Sequence, residues 1–228
     1  MTLRKDDAIN SIMSDFEDFA NQVLHQLDLL ENFVASGEVS FSKTLTKEIM
    51  DNEKKLDKLE VKISDKIINT IALYQPVASE IRKIFACYRI VISLERVGDM
   101  VVNIHNLIEK IKTPKVYQEL SEVISNMLVQ SSNMVNKALL AYTNDDKDYA
   151  IWTIKNDSVI DELNRKMLKK AIKKSTNTDE DKQLMTSFIN LNSMLTTIER
   201  IADQATNIAE AAIYSIEGKD VRHKSHVK

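Results

Sequence analysis

The sequence predicts an all-α protein built from two pseudo-symmetric three-helix bundles that arose by internal duplication. One observation is the scarcity of helix breakers, since the 228 residues include only three glycines and two prolines, and aromatic residues make up 6% of the chain. Turn signals and β-rich strands are correspondingly rare. A second observation is that ERVGDMVVNI at residues 95–104 returns as ERIADQATNI at residues 199–208, an offset of 104 residues. Together they predict a few long helices in two related sets.

The breakers in the first half predict three helices, over residues 6–35, 41–73 and 77–112. Gly37, in ASGEVS, closes the first helix. Pro76, in QPVAS, separates the second helix from the third, because a proline disfavours helical geometry in the residue before it.

The breakers in the second half predict three more helices. Pro114 suits the first turn of the fourth helix. That helix ends at YTNDDKD, where Asn144 or Asp145 can cap the fifth. The fifth helix ends in the polar stretch KSTNTDED, and the sixth ends at Gly218, which is a suitable C-cap.

The offset of 104 residues preserves both the breaks and the apolar register. It sets ASGEV beside TNDD, and it sets Pro76 on Glu180. We therefore predict two repeats, at residues 1–112 and 113–228, in which each helix turns an apolar stripe towards its neighbours. Apolar residues that align across the offset include Leu56 with Ile160, Leu94 with Ile198, and Val97 with Ile201.

The composition limits the classes of function. A net charge of −3, from 31 basic and 34 acidic residues, argues against nucleic acid as the main partner. The single cysteine, Cys87, excludes an internal disulfide framework and suits a reducing compartment. No apolar run approaches the length of about 18 residues that suggests a membrane span, and MTLRKDDAIN lacks the apolar region of a secretory signal. We therefore expect a cytoplasmic protein that reaches a membrane only through a partner complex.

Four acidic pairs obey the duplication. Each pair is spaced i, i+4, so both carboxylates lie on one helical face, one turn apart. The second and third helices of each repeat carry one pair each, and the separation is 42 residues in both repeats (53 to 95 and 157 to 199). The pairs are Glu53 with Asp57, Glu95 with Asp99, Asp157 with Asp161, and Glu199 with Asp203.

Hairpin geometry brings the pairs of each repeat to the same height. The first two pairs centre on residues 55 and 97, equally far from Pro76, and the other two centre on residues 159 and 201, equally far from residue 180. At 1.5 Å per residue, each site lies roughly 30 Å from its bend. Four carboxylates in one place repel one another and tend to protonate unless a cation compensates. Iron, manganese and magnesium accept oxygen ligands of this kind.

A single acidic pair is more typical of a solvated face, or of a salt bridge to Lys58, Lys62 or Lys166. The third helix favours compensation by a cation, because CYRIVISLERVGDMVVNIHNLI is apolar around nearly its whole circumference. The four histidines do not repeat at the offset, and the Glu-x-x-His signature of di-iron bundles is absent. No nucleophile or general base repeats either, which counts against an enzyme.

Four further residues repeat beside the acids. Asn103 and Asn207 follow one turn after the aspartates and either add oxygen ligands or make interhelical hydrogen bonds. Gly98 and Ala202 are small, which suits two helices that approach closely.

These acidic motifs resemble those of the PhoU family of phosphate-signalling regulators, whose repeats each carry two E/D-x-x-x-D motifs. The motifs stand here as EKKLD (53–57), ERVGD (95–99), DSVID (157–161) and ERIAD (199–203), and the resemblance extends from about residue 10 to GKDVRH. It implies that the carboxylates bind multinuclear iron clusters, or manganese, zinc or magnesium ions. It also implies negative control of phosphate uptake, through contact with a phosphate ABC transporter and its sensor kinase.

Two alternatives remain open. Related domains occur attached to sodium–phosphate cotransporters, so the chain is alternatively a regulatory partner of such a carrier, or a helical adaptor whose acids form salt bridges without metal. PVASEIR keeps Pro76 and Arg82 of the family's Pro-x-x-x-Asp-Leu-Arg element but has Glu80 and Ile81 in its middle. The oligomeric state, including a homodimer, is also left open.

Overall fold

The computed structural model describes residues 2–157 and 179–222, with side chains described over 4–157 and 183–222. All the regular structure in these residues is α-helical, which confirms the predicted fold class. Residues 147–157 are helical and are called α5. The other helices are α1 (Thr2–Ser36), α2 (Lys43–Tyr74), α3 (Ala78–Glu109), α4 (Pro114–Thr143) and α6 (Asp179–Glu217).

The helix ends follow the breakers closely. Gly37 and Gly218 adopt the left-handed conformation, with φ of +70° and +69°, as C-terminal glycines do. Ser42 caps α2 by accepting a hydrogen bond from the Leu45 amide, so α2 begins two residues later than the predicted start at residue 41. Gln75 ends α2 in the left-handed region, with φ of +46°.

The cap of α5 was predicted wrongly. Asp146 caps this helix, because its Oδ1 accepts from the amides of Asp148 (2.9 Å) and Tyr149 (3.4 Å). Asn144 is instead the C-cap of α4, and Asp145 takes the left-handed conformation, with φ of +54°, that turns the chain between the two helices. The predicted end of α5, in KSTNTDED, lies outside the described residues.

The helices pack around one continuous core. In the first repeat α1, α2 and α3 all contact one another; α4 packs against α6, and the repeats join where α3 meets α6 and α1 meets α4. The two central helices, α3 and α6, are antiparallel: the rings of Phe85 and Tyr214 lie 6.4 Å apart near one end. Near the other end the Ser187 hydroxyl accepts from the Lys112 amide at 3.0 Å.

The duplication is visible in the burial of the central helices. Each residue from 93 to 105 of α3 has the same degree of burial as its counterpart from 197 to 209 of α6. For α1 and α4 the matching offset is 108 residues, which aligns the buried Phe16, Leu27 and Val34 with Ile124, Val135 and Tyr142. The difference is taken up before α2 and α5, since residues 37–42 separate the first two helices and only residues 144–146 separate α4 from α5.

Among the helices of the described part of the chain, none is long and apolar enough to cross a membrane.

Candidate metal centre

The first acidic site lies where α2 faces α3. The hairpin that folds at Pro76 sets Glu53 opposite Asp99, close enough for Asp99 to raise the pKa of Glu53. Repulsion from Asp57 also raises the pKa of Glu53. Repulsion from Asp57 and Asp99 raises the pKa of Glu95. Asp57 and Asp99 therefore each act on both glutamates, which links all four predicted acids of the first repeat.

Gly98 is the reason that Glu53 can lie so close to α3. A Cβ atom at this position would come within 2.8 Å of the Leu56 Cδ1 atom and 3.1 Å of the Glu53 Oε2 atom. Real Cβ atoms essentially never make the shorter of these contacts. The missing side chain therefore creates the space into which α2 inserts both Leu56 and the Glu53 carboxylate.

A third helix contributes a residue that the sequence analysis missed. Gln26 of α1 is 0% exposed, and its Nε2 donates to the Glu53 Oε2 at 3.3 Å. The other oxygen of Glu53, Oε1, and the Gln26 Oε1 are both buried, and neither accepts a hydrogen bond. The available signal was a polar residue in the buried stripe of α1, which otherwise holds residues such as Val23, Leu27 and Leu30.

The electrostatics of this site favour an added positive charge. Burial raises the pKa of Glu53 to about 7; repulsion from Asp99 and Asp57 acts in the same direction, and the Gln26 hydrogen bond opposes it. Burial also raises the pKa of Glu95, and the charges of Asp99, Glu60 and Asp57 add to the effect. A cation would relieve both the burial cost and the repulsion.

The donor atoms suit a hard cation, although they are not gathered into a finished coordination shell. Over residues 4–157 and 183–222, no three Asp, Glu, His or Cys side chains converge closely enough to hold a metal ion as they stand. The set offered by α2 and α3 consists of carboxylate oxygens, one of them the orphaned Oε1 of Glu53. Hard cations prefer such oxygens, so the residues fit a cation if the side chains of Asp57, Glu95 and Asp99 turn towards Glu53.

The second acidic site is described only in part. Glu199 is half-buried and Asp203 is exposed, as are their counterparts Glu95 and Asp99. Asp157 is half-buried at the end of the described part of α5, and Asp161 lies outside the described residues. The structure therefore places two of the four acids on the equivalent face of α6, and leaves their meeting with Asp161 a prediction.

The other residues that were predicted to act at the acidic sites, two asparagines and a lysine, make contacts of a different kind. Asn103 and Asn207 are exposed, and the Asn207 Nδ2 donates to the Gln204 Oε1 at 3.5 Å. Lys62, one of the predicted salt-bridge partners, instead binds the Asp15 Oδ1 at 2.8 Å. Lys62 therefore joins α2 to α1 through an acid that belongs to none of the four pairs.

Sequence comparison matches the PhoU domain twice, at residues 16–108 and 124–212. A phosphate-specific transport system accessory protein PhoU homolog from Aquifex aeolicus is 31% identical over 226 residues, which cover 95% of this chain and 97% of that one. The homolog from Pseudomonas aeruginosa is 28% identical over 232 residues, with 97% and 93% covered.

Structure comparison shows the same fold. The phosphate transport system regulatory protein PhoU from Streptococcus pneumoniae superposes with a TM-score of 0.81 at 20% identity, covering 95% of this chain and 99% of that one. For PhoU from Pseudomonas aeruginosa the TM-score is 0.75 at 22% identity, with 94% and 99% covered. Because the family model matches both repeats and most of the chain, the protein belongs to the PhoU family.

Proposed function

We propose that this chain regulates phosphate uptake and phosphate-responsive signalling through contact with a phosphate transporter and its sensor kinase, and that its acidic sites bind metal ions. The regulatory part of the proposal is supported by relatives named as accessory proteins of the phosphate-specific transport system. The matches to those two relatives extend over more than nine-tenths of each protein, so no large part of them lacks a counterpart here.

The observation that carries the metal proposal is the buried carboxylate of Glu53. It touches Asp99, and its Oε1 meets no donor in the protein. A buried acceptor without a partner is costly. A bound iron, manganese, magnesium or zinc ion would supply positive charge there and link α2 to α3. The proposed ligands are Glu53, Asp57, Glu95 and Asp99 in the first repeat, and Asp157, Asp161, Glu199 and Asp203 in the second.

We propose binding, and not catalysis, as the task of these sites. The first site consists of carboxylates and one carboxamide, so its own residues include no hydroxyl, thiol or amine that could attack a substrate. A cation held there would serve to fix the relative positions of α2 and α3. The surfaces of both helices would then be presented to a partner in one defined arrangement.

Exposed apolar side chains support action through protein contact. Phe85 of α3 is 47% exposed, and Ile189 of α6, its counterpart at the 104-residue offset, is 56% exposed. Each follows another exposed apolar residue by one turn, Ile81 and Met185 respectively. A pair of exposed apolar side chains that occurs in both repeats is better explained by contact with a protein partner than by exposure to solvent.

The test is co-purification of the full chain from its native cells, grown with abundant and with scarce phosphate. Components of a phosphate ABC transporter and a sensor kinase are expected with the wild type, and less of them with a Phe85→Ser, Ile189→Ser variant. The matched control is Leu73→Ser, which removes an exposed apolar residue outside these pairs. Recovery of a sodium–phosphate cotransporter instead would transfer the proposal to that carrier. Unchanged phosphate uptake after deletion of the gene would contradict the regulatory role.

A further inference from the structure

The two acidic sites differ in the residue that the first helix of each repeat places beneath them. In the first repeat this residue is Gln26 of α1; at the offset of 108 residues that aligns the buried positions of α1 and α4, its counterpart is Met134, which is also buried. A hydrogen bond supports this alignment, because the Ser131 hydroxyl of α4 donates to the Ile198 carbonyl of α6 at 3.2 Å. Because Met134 and Ala202 each follow these two residues by about one turn, the alignment predicts that Met134 lies level with Ala202, as Gln26 lies beside Gly98.

One oxygen of Gln26 and one of Glu53 lie near the same point beside Gly98, where the Leu56 Cδ1 atom is nearer still, at 2.8 Å. The point where a Gly98 Cβ would stand lies 3.1 Å from the Glu53 Oε2 and 3.6 Å from the Gln26 Oε1. The Gln26 amide nitrogen is already used, since it donates to Glu53. Its oxygen remains without a donor, on a side chain that is 0% exposed.

An amide oxygen in this position calls for a positively charged or hydrogen-bonding partner. Burying such an oxygen without a partner costs on the order of 1–3 kcal/mol, and a methionine there, as in the second repeat, would avoid that cost. A hard cation accepts a carboxamide oxygen as readily as a carboxylate, and the neutral ligand adds no further negative charge. The thioether of a methionine is a soft ligand and suits such cations poorly.

We infer that Gln26 supplies a neutral oxygen ligand to the cation of the first repeat, so that the two acidic sites of the chain are not equivalent. The inference rests on the proposed metal binding. The first site holds a hard cation with carboxylates and one carboxamide, and it is the tighter of the two. The second site, above Met134, has carboxylates without this ligand.

The test is a titration of the full chain with Mn²⁺, by calorimetry, for Gln26→Met and for Met134→Gln. Gln26→Met gives the first site the residue that the second site already has. It is expected to weaken the tighter class of Mn²⁺ sites by about 10-fold or more, as the loss of a supporting residue at a metal site typically does. The weaker class should be unchanged, and Met134→Gln should leave the tighter class as it is.

Two further measurements separate a ligand from a structural residue. Without metal, Gln26→Met should melt close to the wild type, because it removes an unpaired buried oxygen together with the hydrogen bond to Glu53. Its gain in melting temperature on adding Mn²⁺ should be smaller than that of the wild type. Gln26→Glu, which keeps an oxygen in place, should retain tight binding.

The possible outcomes separate this inference from the proposed function. If the wild type binds neither Mn²⁺ nor iron, the metal part of the proposed function fails, and this inference fails with it. If the wild type binds Mn²⁺ at both sites and Gln26→Met keeps the tighter affinity within about twofold, the proposed function stands and the role of Gln26 is wrong. An equal loss at both sites would also overturn it.

Discussion

The two repeats place different residues at the equivalent positions of their second and third helices. In the first repeat a long acid, Glu53, stands opposite Gly98, whose missing side chain leaves room for the carboxylate. In the second repeat the corresponding residues are Asp157, shorter by one methylene group, and Ala202, larger by one methyl group. The second repeat therefore has one carbon atom fewer on its second helix and one more on its third. The summed volume of the two side chains is therefore similar in both repeats, which suits close packing.

The same comparison shows that volume and chemistry are constrained separately. Gln26 and Met134 are similar in length and both are buried, so either can fill the space beneath the acids. Only Gln26 brings polar atoms to that space, and one of them is bonded to Glu53. The two repeats therefore bury a side chain of similar length at this position, and the first repeat places a carboxamide there.

The largest expected effect is that of metal on stability. A cation that binds only the folded chain stabilises it by about 2.7 kcal/mol when free metal is a hundredfold above its dissociation constant. We expect the melting temperature to rise on adding iron or Mn²⁺, and Asp99→Asn with Asp203→Asn to lose most of that rise. Asp99→Asn alone should remove the contribution of the first repeat and keep that of the second. If metal leaves the melting temperatures of wild type and double variant unmoved, the acids bind no metal.

A smaller effect is expected when Gly98 is given the side chain of its counterpart. Gly98→Ala places a Cβ atom 2.8 Å from the Leu56 Cδ1, and overpacking of this kind typically costs about 1–3 kcal/mol. Replacing a helical glycine by alanine in turn stabilises the helix by about 1 kcal/mol. We therefore expect urea denaturation to show a net loss of about 1 kcal/mol, the difference of these two terms.

The matched variant for this comparison combines Gly98→Ala with Glu53→Asp, which reproduces the pair of the second repeat. It should recover part of the loss, because the shorter acid withdraws from the new methyl group, while the contact with Leu56 remains. If Gly98→Ala is more stable than the wild type, the space between α2 and α3 is looser than the structure indicates.

The smallest effect expected is a change in the pH dependence of stability. The pKa of Glu53 rises from 4.5 to about 7 on folding, so the folded chain holds this proton more tightly than the unfolded chain does. The contribution of Glu53 to the free energy of unfolding therefore falls as the pH rises from about 4.5 to about 7. Glu53→Gln removes this dependence.

The measurement is urea denaturation with a chelator present, at pH 5 and at pH 8. Glu53→Gln should gain stability relative to the wild type at the higher pH, and Glu38→Gln, at an exposed position, serves as the control. If the difference in the free energy of unfolding between Glu53→Gln and wild type is the same at pH 5 and at pH 8, folding does not raise the pKa of Glu53.

Much of the fold could be predicted because its signals are local. Gly37, Pro76, Pro114 and Gly218 each end or begin a helix through their own backbone preferences, and the structure uses all four in this way. The contact of Glu53 with Asp99 follows from hairpin geometry alone, since the two residues are equally far from Pro76.

What could not be predicted depends on contacts between distant segments. YTNDDKD offers three consecutive capping residues, and local preference does not decide which one takes the left-handed turn and which one caps α5. Gln26 is a single polar residue in an apolar stripe, and only its position beneath Glu53, 27 residues away along the chain, shows its partner. The offset of 108 residues for the first helices is concealed by loops of different length.

The antiparallel pairing of α3 and α6 has a consequence for how such a protein evolves. Each repeat buries part of its third helix against the third helix of the other repeat, so neither half keeps its core if the gene is divided. Mutations at this pairing must suit both halves at once and are selected together. The first acidic site lies where α3 faces α2, outside this pairing, so its residues can change without disturbing the pairing. A duplicated gene can in this way keep one scaffold while the surfaces outside the shared pairing diverge between its two repeats.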